Sequence, residues 1–236
     1  MKKLTTVLVA CIIAVTGSLN APVSQAQESL FIQQGDEIIT RKHNGDNASC
    51  TVGYVDKGNR TLMFTGHCAA GETGNLVMDS NWNPIGHVVE NHDDRRTPHN
   101  DVAIVAIGDN VAIGENIYSG NRWAAPHELR PGDKVCSRGA KSNAVHCGYM
   151  TGWNLPNVVN ATRSAGGTFG DSGGPAWVPG KGFIGMFTRV PDDASVWVYP
   201  DMNYGRISPE SVKRDIQNSV NSAIGDFGIP VPPVRL

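Results

Sequence analysis

Beyond its first 26 residues, the apolar residues of this chain come in short runs broken by turn-forming residues. Ala48–Tyr54 and Thr61–Thr65 are rich in Val, Leu, Phe and Thr, and Asp56-Lys57-Gly58-Asn59 between them is a turn cluster, so the pair predicts a β-hairpin. Leu76–Met78, Ile85–Val89, Val102–Ile107, Lys134–Cys136, Val145–Thr151, Ala176–Val178, Phe183–Arg189 and Val196–Val198 predict further strands, and nearly every gap carries Gly, Pro, Asn or Asp. Short strands at regular spacing without helices between them point to a β-sandwich or barrel, not a βαβ fold. One segment has a different period. From Ser208 to about residue 225 the apolar positions Val212, Ile216, Val220 and Ala223 follow helical spacing, with Ser208 as N-cap and Pro209 at the first helical position. The tail, residues 226–236, holds Pro230, Pro232 and Pro233 and predicts extended chain. Pro126 and Pro131-Gly132 make residues around 118–132 the natural linker between two halves.

The first 26 residues follow another logic. Met1-Lys2-Lys3 followed by the apolar run Leu4–Val15 and by Ser24-Gln25-Ala26 reads as a signal peptide cut after Ala26. The apolar run is short for a membrane span, which takes about 20 residues. Leu8-Val9-Ala10-Cys11 resembles a lipoprotein box, but a cut there would expose Ile12–Val15, so a soluble, secreted, extracellular product is preferred. Removing Lys2, Lys3 and Cys11 leaves 18 basic and 22 acidic residues, a net charge of −4, and four cysteines. Without a basic stripe, nucleic acid has no electrostatic support. Cys50, Cys68, Cys136 and Cys147 in an exported chain read as two disulfides. Three pairings are possible, and Cys50–Cys68 with Cys136–Cys147 is the simplest because each is local.

Three segments carry chemistry. Gly170-Asp171-Ser172-Gly173-Gly174-Pro175 sets a serine between glycines that allow adjacent N–H groups, those of Gly170 and Ser172, to converge on an oxyanion. Thr65-Gly66-His67-Cys68 places a histidine just beyond an apolar strand, where it could serve as the base that a serine nucleophile needs. Asn100-Asp101-Val102-Ala103-Ile104-Val105 heads another strand with a carboxylate able to fix the histidine's tautomer. The order His67, Asp101, Ser172 differs from the Ser, Asp, His order of α/β-hydrolases. His92-Asp93-Asp94 and His99 could suggest a metal, but they fall between strands and read as solvated loop residues. No metal or cofactor is expected.

Together these motifs resemble the chymotrypsin-like serine proteases, most closely the secreted bacterial members of the streptogrisin and α-lytic protease type. Val135-Cys136-Ser137-Arg138-Gly139 through His146-Cys147-Gly148 is similar to the α-lytic disulfide hairpin, and Ile32–Ile38 to a streptogrisin mature N-terminus. The resemblance spans about residues 32–207. It implies an all-β fold of two antiparallel six-stranded barrels, residues 27–120 and 121–207, with the active site between them and the terminal helix appended. It also implies that His67, Asp101 and Ser172 hydrolyse peptide bonds of a polypeptide substrate through an acyl-enzyme, with a monomer and no stable membrane association expected. Gly166 would lie at the base of the specificity pocket where trypsin-like enzymes carry an acid. Thr188 would lie on the substrate-binding strand and Val190 in the pocket wall, giving a preference for small or apolar residues. Asp171 would pair with Arg138, although Ser137 stands where relatives carry the arginine, or else with an ammonium at Ile32. Few residues separate Ala26 from Ile32, so no long pro-segment is expected. A non-catalytic binding or adhesion protein on the same fold, or an esterase using the same triad, are the alternatives.

Overall fold

β-branched and aromatic residues fill the segments that pair, because their side chains pack well on a pleated, half-buried surface. The computed structural model describes residues 30–42, 44–70, 72–93, 101–155, 158–162, 164, 167–189 and 194–198. The predicted signal peptide, terminal helix and Pro-rich tail lie outside them. The first half of the chain forms β1 (Leu30–Ile32), β2 (Glu37–Arg41), β3 (Asn47–Thr51), β4 (Tyr54–Asp56), β5 (Thr61–Phe64), β6 (Leu76–Asp79), β7 (Pro84–Asn91), β8 (Ala103–Ile107) and β9 (Val111–Ile113). The second half forms β10 (Lys134–Gly139), β11 (Ala144–Leu155), β12 (Val158–Thr162), β13 (Pro175–Val178), β14 (Gly182–Arg189) and β15 (Ala194–Val198). The described residues contain no α-helix, and single 3₁₀ turns lie at Gly66–Ala69 and Pro126–Glu128.

The first sheet runs β3-β2-β6-β7-β8-β5-β4. Its two edge strands are consecutive pieces of one run of chain, separated only by Val52 and Gly53, so the sheet curls until its edges lie end to end. The second is a closed barrel in the order β10-β11-β12-β15-β14-β13. Pairing is antiparallel throughout both, whereas β1 and β9 form a separate parallel pair.

Each sheet encloses its own apolar core. Ile38, Leu62, Phe64, Val77 and Val105 pack inside the first, and Val135, Met150, Val159, Ile184 and Phe187 inside the second. A third cluster joins the two: Met63, Val102 and Ile104 from the first sheet meet Phe183 and Met186 of β14. The rings of Tyr54 and Phe183 lie 5.1 Å apart across the same seam. Burial of these large side chains, each worth about 1.5–3 kcal/mol, fixes one barrel against the other. The cysteines pair Cys50–Cys68 and Cys136–Cys147. In the second pair the two residues face each other directly on β10 and β11.

Candidate active site

β5 ends at Phe64, and the chain turns at once into the 3₁₀ turn that carries His67. That turn is held from three sides. Cys68 is tied to Cys50 next to Thr51, Thr40 Oγ1 donates to the Cys68 carbonyl at 2.6 Å, and Asn91 Nδ2 donates to the Gly66 carbonyl at 3.1 Å. Gly66 has to be small here, since a Cβ on it would lie 2.6 Å from Asn91 Oδ1 and 2.9 Å from Asp93 Cβ.

Asp101 comes from the segment leading into β8 and is only 5% exposed. Its two oxygens take both N–H groups of one residue: Oδ1 accepts from the His67 backbone N–H at 2.8 Å and Oδ2 from Nδ1 at 2.8 Å. A carboxylate can only accept, so Nδ1 carries the proton and Nε2 of the neutral ring is the basic nitrogen. The His67 side chain is 40% exposed. Burial pushes its pKa down, but the Asp101 hydrogen bond and charge, helped by the Asp93 charge, outweigh burial and opposition from Lys42, so it stands above the ordinary value. His92 and Asp93, which the sequence places among solvated loop residues, are half-buried. His92 sits against Glu90, and the Asp93 backbone N–H donates to Asn91 Oδ1 at 2.9 Å. Asp94 and His99 lie outside the described residues.

Ser172 lies on a tight loop between Thr168 and Pro175. Asp171 N–H donates to the Thr168 carbonyl at 3.0 Å, and Gly174 N–H to the Asp171 carbonyl at 2.9 Å. Gly170 and Gly173 adopt φ of +92° and +88°, a region that L side chains avoid. The loop is pressed onto the first barrel. Thr51 N–H donates to the Ser172 carbonyl at 2.8 Å, and a Cβ on Gly173 would lie 2.4 Å from the Thr51 carbonyl and 3.0 Å from Phe64 Cβ. The serine loop therefore abuts the end of the strand that leads to His67. Among the described residues, the N–H groups of Gly170 and Ser172 donate to no protein acceptor. On β14, Phe187 donates to the Gly174 carbonyl and accepts from Gly173 N–H, both at 2.8 Å, and Thr188 follows it. Gly166 and Val190 lie outside the described residues.

The carboxylate of Asp171 corrects an expectation. It is 1% exposed and bound by two backbone N–H groups, those of Ser142 and Thr168, each at 2.8 Å, and not by Arg138. Side chains alternate along a strand, so Ser137 and Gly139 share one face of β10 while Arg138 points to the other. There Arg138 Nε donates to Tyr118 Oη at 3.0 Å and Nη2 to Asn143 Oδ1 at 2.6 Å. Ile32 is buried at the end of β1 and paired with Ile113. Two glycines make room for the carboxylate: a Cβ on Gly139 would lie 2.0 Å from Asp171 Cγ, and one on Gly167 2.3 Å from Oδ2. Sequence reasoning missed Gly139, Ser142, Gly167, Thr51 and Asn91. Gly139, Gly167 and Ser142 act through empty space or a backbone N–H, and Thr51 and Asn91 through single polar side chains aimed at distant backbone groups; none of these leaves a motif.

No protein-family model matches the chain. It is similar in sequence to two Mycobacterium tuberculosis proteins, uncharacterized protein MT1863 of strain CDC 1551 / Oshkosh and uncharacterized protein Rv1815 of strain ATCC 25618 / H37Rv. Each is 26% identical over 191 residues, covering 72% of this chain and 79% of the relative. In structure it is similar to the active form of the Rv3671c protease from M. tuberculosis, with a TM-score of 0.52 and 16% identity over 75% of this chain and 81% of that one. It is also similar to the α-lytic protease homolog N4, with a TM-score of 0.54 and 22% identity over 74% of this chain and 96% of that one. The chain has the two-barrel trypsin fold of the chymotrypsin-like serine proteases.

Proposed function

We propose that this protein is an exported serine endopeptidase that acts with Ser172 as nucleophile, His67 as general base and Asp101 as the residue that orients and charges His67. The observation that carries the reading is the double hydrogen bond from His67 to the buried Asp101, which leaves Nε2 as the ring's basic nitrogen. In this reading Ser172 Oγ attacks the peptide carbonyl and its proton passes to His67 Nε2. The imidazolium that forms is stabilised by Asp101 and gives its proton to the leaving amine. The N–H groups of Gly170 and Ser172 receive the oxyanion of the tetrahedral intermediate, and water then releases the acyl group by the same steps in reverse. Residues 27–120 and 121–207 act as the two barrels of the mature enzyme, with residues 1–26 removed at export; the two disulfides are compatible with that route. With Gly166 in place of an acid and Val190 in the pocket wall, cleavage falls after small or apolar residues.

The test is covalent labelling of the purified, processed protein with a fluorophosphonate, located by mass spectrometry, beside a Ser172→Ala control. Stoichiometric label on Ser172, absent in the control, is expected, and peptide-library cleavage then follows uncharged residues. A folded protein that takes no label refutes the serine nucleophile, and cleavage mainly after Lys or Arg refutes the pocket reading.

A further inference from the structure

Thr51 stands on β3 in the first barrel, next to Cys50, and is fully buried. Its backbone N–H already holds the Ser172 carbonyl. The side chain does a second thing. Thr51 Oγ1 accepts from the Ala140 N–H at 3.0 Å and donates to the Gly170 carbonyl at 3.0 Å. The direction is fixed, because an amide N–H can only give a proton, so the hydroxyl proton goes to the Gly170 oxygen. One buried residue thus grips the serine loop at two carbonyls two residues apart, those of Gly170 and Ser172, and also holds the turn after β10.

The same turn reaches the loop from its other side. Ala140 N–H is spent on Thr51, Ser142 N–H on Asp171 Oδ1, and a Cβ on Gly170 would lie 2.9 Å from Lys141 Cβ. Gly170 is at φ +92°, where a glycine has wide rotational freedom and nothing intrinsic to hold its peptide planes. What limits it is the hydrogen bond at its carbonyl, the bond from Asp171 N–H to the Thr168 carbonyl on the same peptide plane, and the Lys141 stem packed over it.

We infer that Thr51 is a positioning residue for catalysis: its hydroxyl, reaching across from the first barrel, holds the carbonyl of the Gly170–Asp171 peptide, the plane that lies between the Gly170 and Ser172 N–H groups, and so keeps both facing the same oxyanion. This rests on the serine-hydrolase reading above and names the group that holds that site in its working shape. Without the hydroxyl, the Gly170 carbonyl and the Ala140 N–H both lose the partner that the buried Thr51 gives them. The cheapest relief is rotation about the Gly170 Cα, which turns its N–H away from that of Ser172 and disperses the anion-binding pair.

The experiment compares wild type with Thr51→Val, which keeps the shape and removes the hydroxyl, and Thr51→Ser, which keeps the hydroxyl and removes the methyl. Second-order fluorophosphonate labelling constants are measured on the full processed chain and normalised to the folded fraction from thermal melts. Steady-state kcat and KM on one peptide substrate are measured beside them. Thr51→Val is expected to label roughly 10- to 100-fold more slowly, short of the ~10²–10³ lost when an oxyanion donor is deleted outright, with the loss in kcat and not in KM. Thr51→Ser is expected to return close to wild type. Thr51→Ala is read in parallel, so that poor folding of the valine variant leaves the hydroxyl's effect measurable. Folded Thr51→Val or Thr51→Ala labelling at the wild-type rate, or Thr51→Ser as slow as Thr51→Val, overturns the assignment alone. A wild type that takes no label overturns the serine-hydrolase reading, and this assignment with it.

Discussion

Gly139→Ala adds one methyl group at the tightest point around Asp171. The new carbon would start 2.0 Å from Asp171 Cγ and 2.1 Å from Oδ1, the oxygen that accepts the Ser142 N–H. Carbon atoms in contact sit about 3.5–4.0 Å apart, so something must move by well over an ångström. Gly139 pairs with Ala144 at the end of β10, and Asp171 is enclosed by Gly167 on its other side. The strand end shifts and the carboxylate gives up a charge-assisted hydrogen bond. Losing that bond costs about 1.5–3 kcal/mol and overpacking about 1–3 kcal/mol more, so the variant should lose roughly 2.5–6 kcal/mol. At a urea dependence of about 3 kcal/mol/M this moves the unfolding midpoint down by about 0.8–2 M. The control is Gly120→Ala, where no atom lies within 4 Å of the added carbon but φ is +67°, so only the backbone cost of about 1–2 kcal/mol applies. Urea titrations under non-reducing conditions measure both. A Gly139→Ala loss no larger than that of Gly120→Ala refutes the account of the Asp171 cradle.

Further outcomes follow from the His67–Asp101 pair and from the two disulfides. The proposed mechanism requires neutral His67, whose pKa stands above its ordinary value, so the acid limb of the kcat/KM–pH profile should lie above about 6.5 and move down in Asp101→Asn. The same variant should lower kcat by about 10⁴. The sign for stability is the reverse of that for activity: the protonated His67–Asp101 pair contributes fully below the unfolded value of 6.5, and this contribution fades as pH rises through the higher folded value. Melts of wild type and Asp101→Asn across that range should converge at high pH, and parallel curves would refute it. Replacing Cys50 and Cys68 by serine opens a link of 18 residues and should cost about 3 kcal/mol; labelling of the folded fraction should also slow, because Cys68 adjoins His67. The Cys136–Cys147 replacement, whose link spans 11 residues, should cost stability without that loss of reactivity.

Strands were readable where the pattern is local. Leu62–Phe64 and Val102–Ile107 are apolar runs long enough to declare themselves, and they pair as β5 and β8. Glu37–Arg41 was not, because charged ends leave only Ile38 and Ile39 as an apolar signal, yet it lies between β3 and β6. Val158–Thr162 became β12 although Asn160 interrupts its apolar run. Ala48–Tyr54 reads as one strand and folds as two pieces. At Gly53 the chain passes so close to the second barrel that a Cβ would lie 2.5 Å from the Gly173 carbonyl and 2.5 Å from Met186 Cγ. Contacts of that kind join residues more than a hundred positions apart and leave no periodic trace. The same holds for the site: His67 and Asp101 announced themselves through their neighbours, while the partner of Asp171 depended on which face of β10 each residue takes.

The turn Ala140–Asn143 would pass for an expendable surface connection, the kind of place where lengthening or replacement is usually tolerated. Two of its amides and one aliphatic stem bear on Thr51, Asp171 and Gly170. A homologue that drifted in the length of this turn would keep its barrels, its disulfides and its triad residues, and would read as an intact enzyme by motif alone. Loss of chemistry on this fold can therefore begin at a hairpin tip that contains none of the reacting atoms.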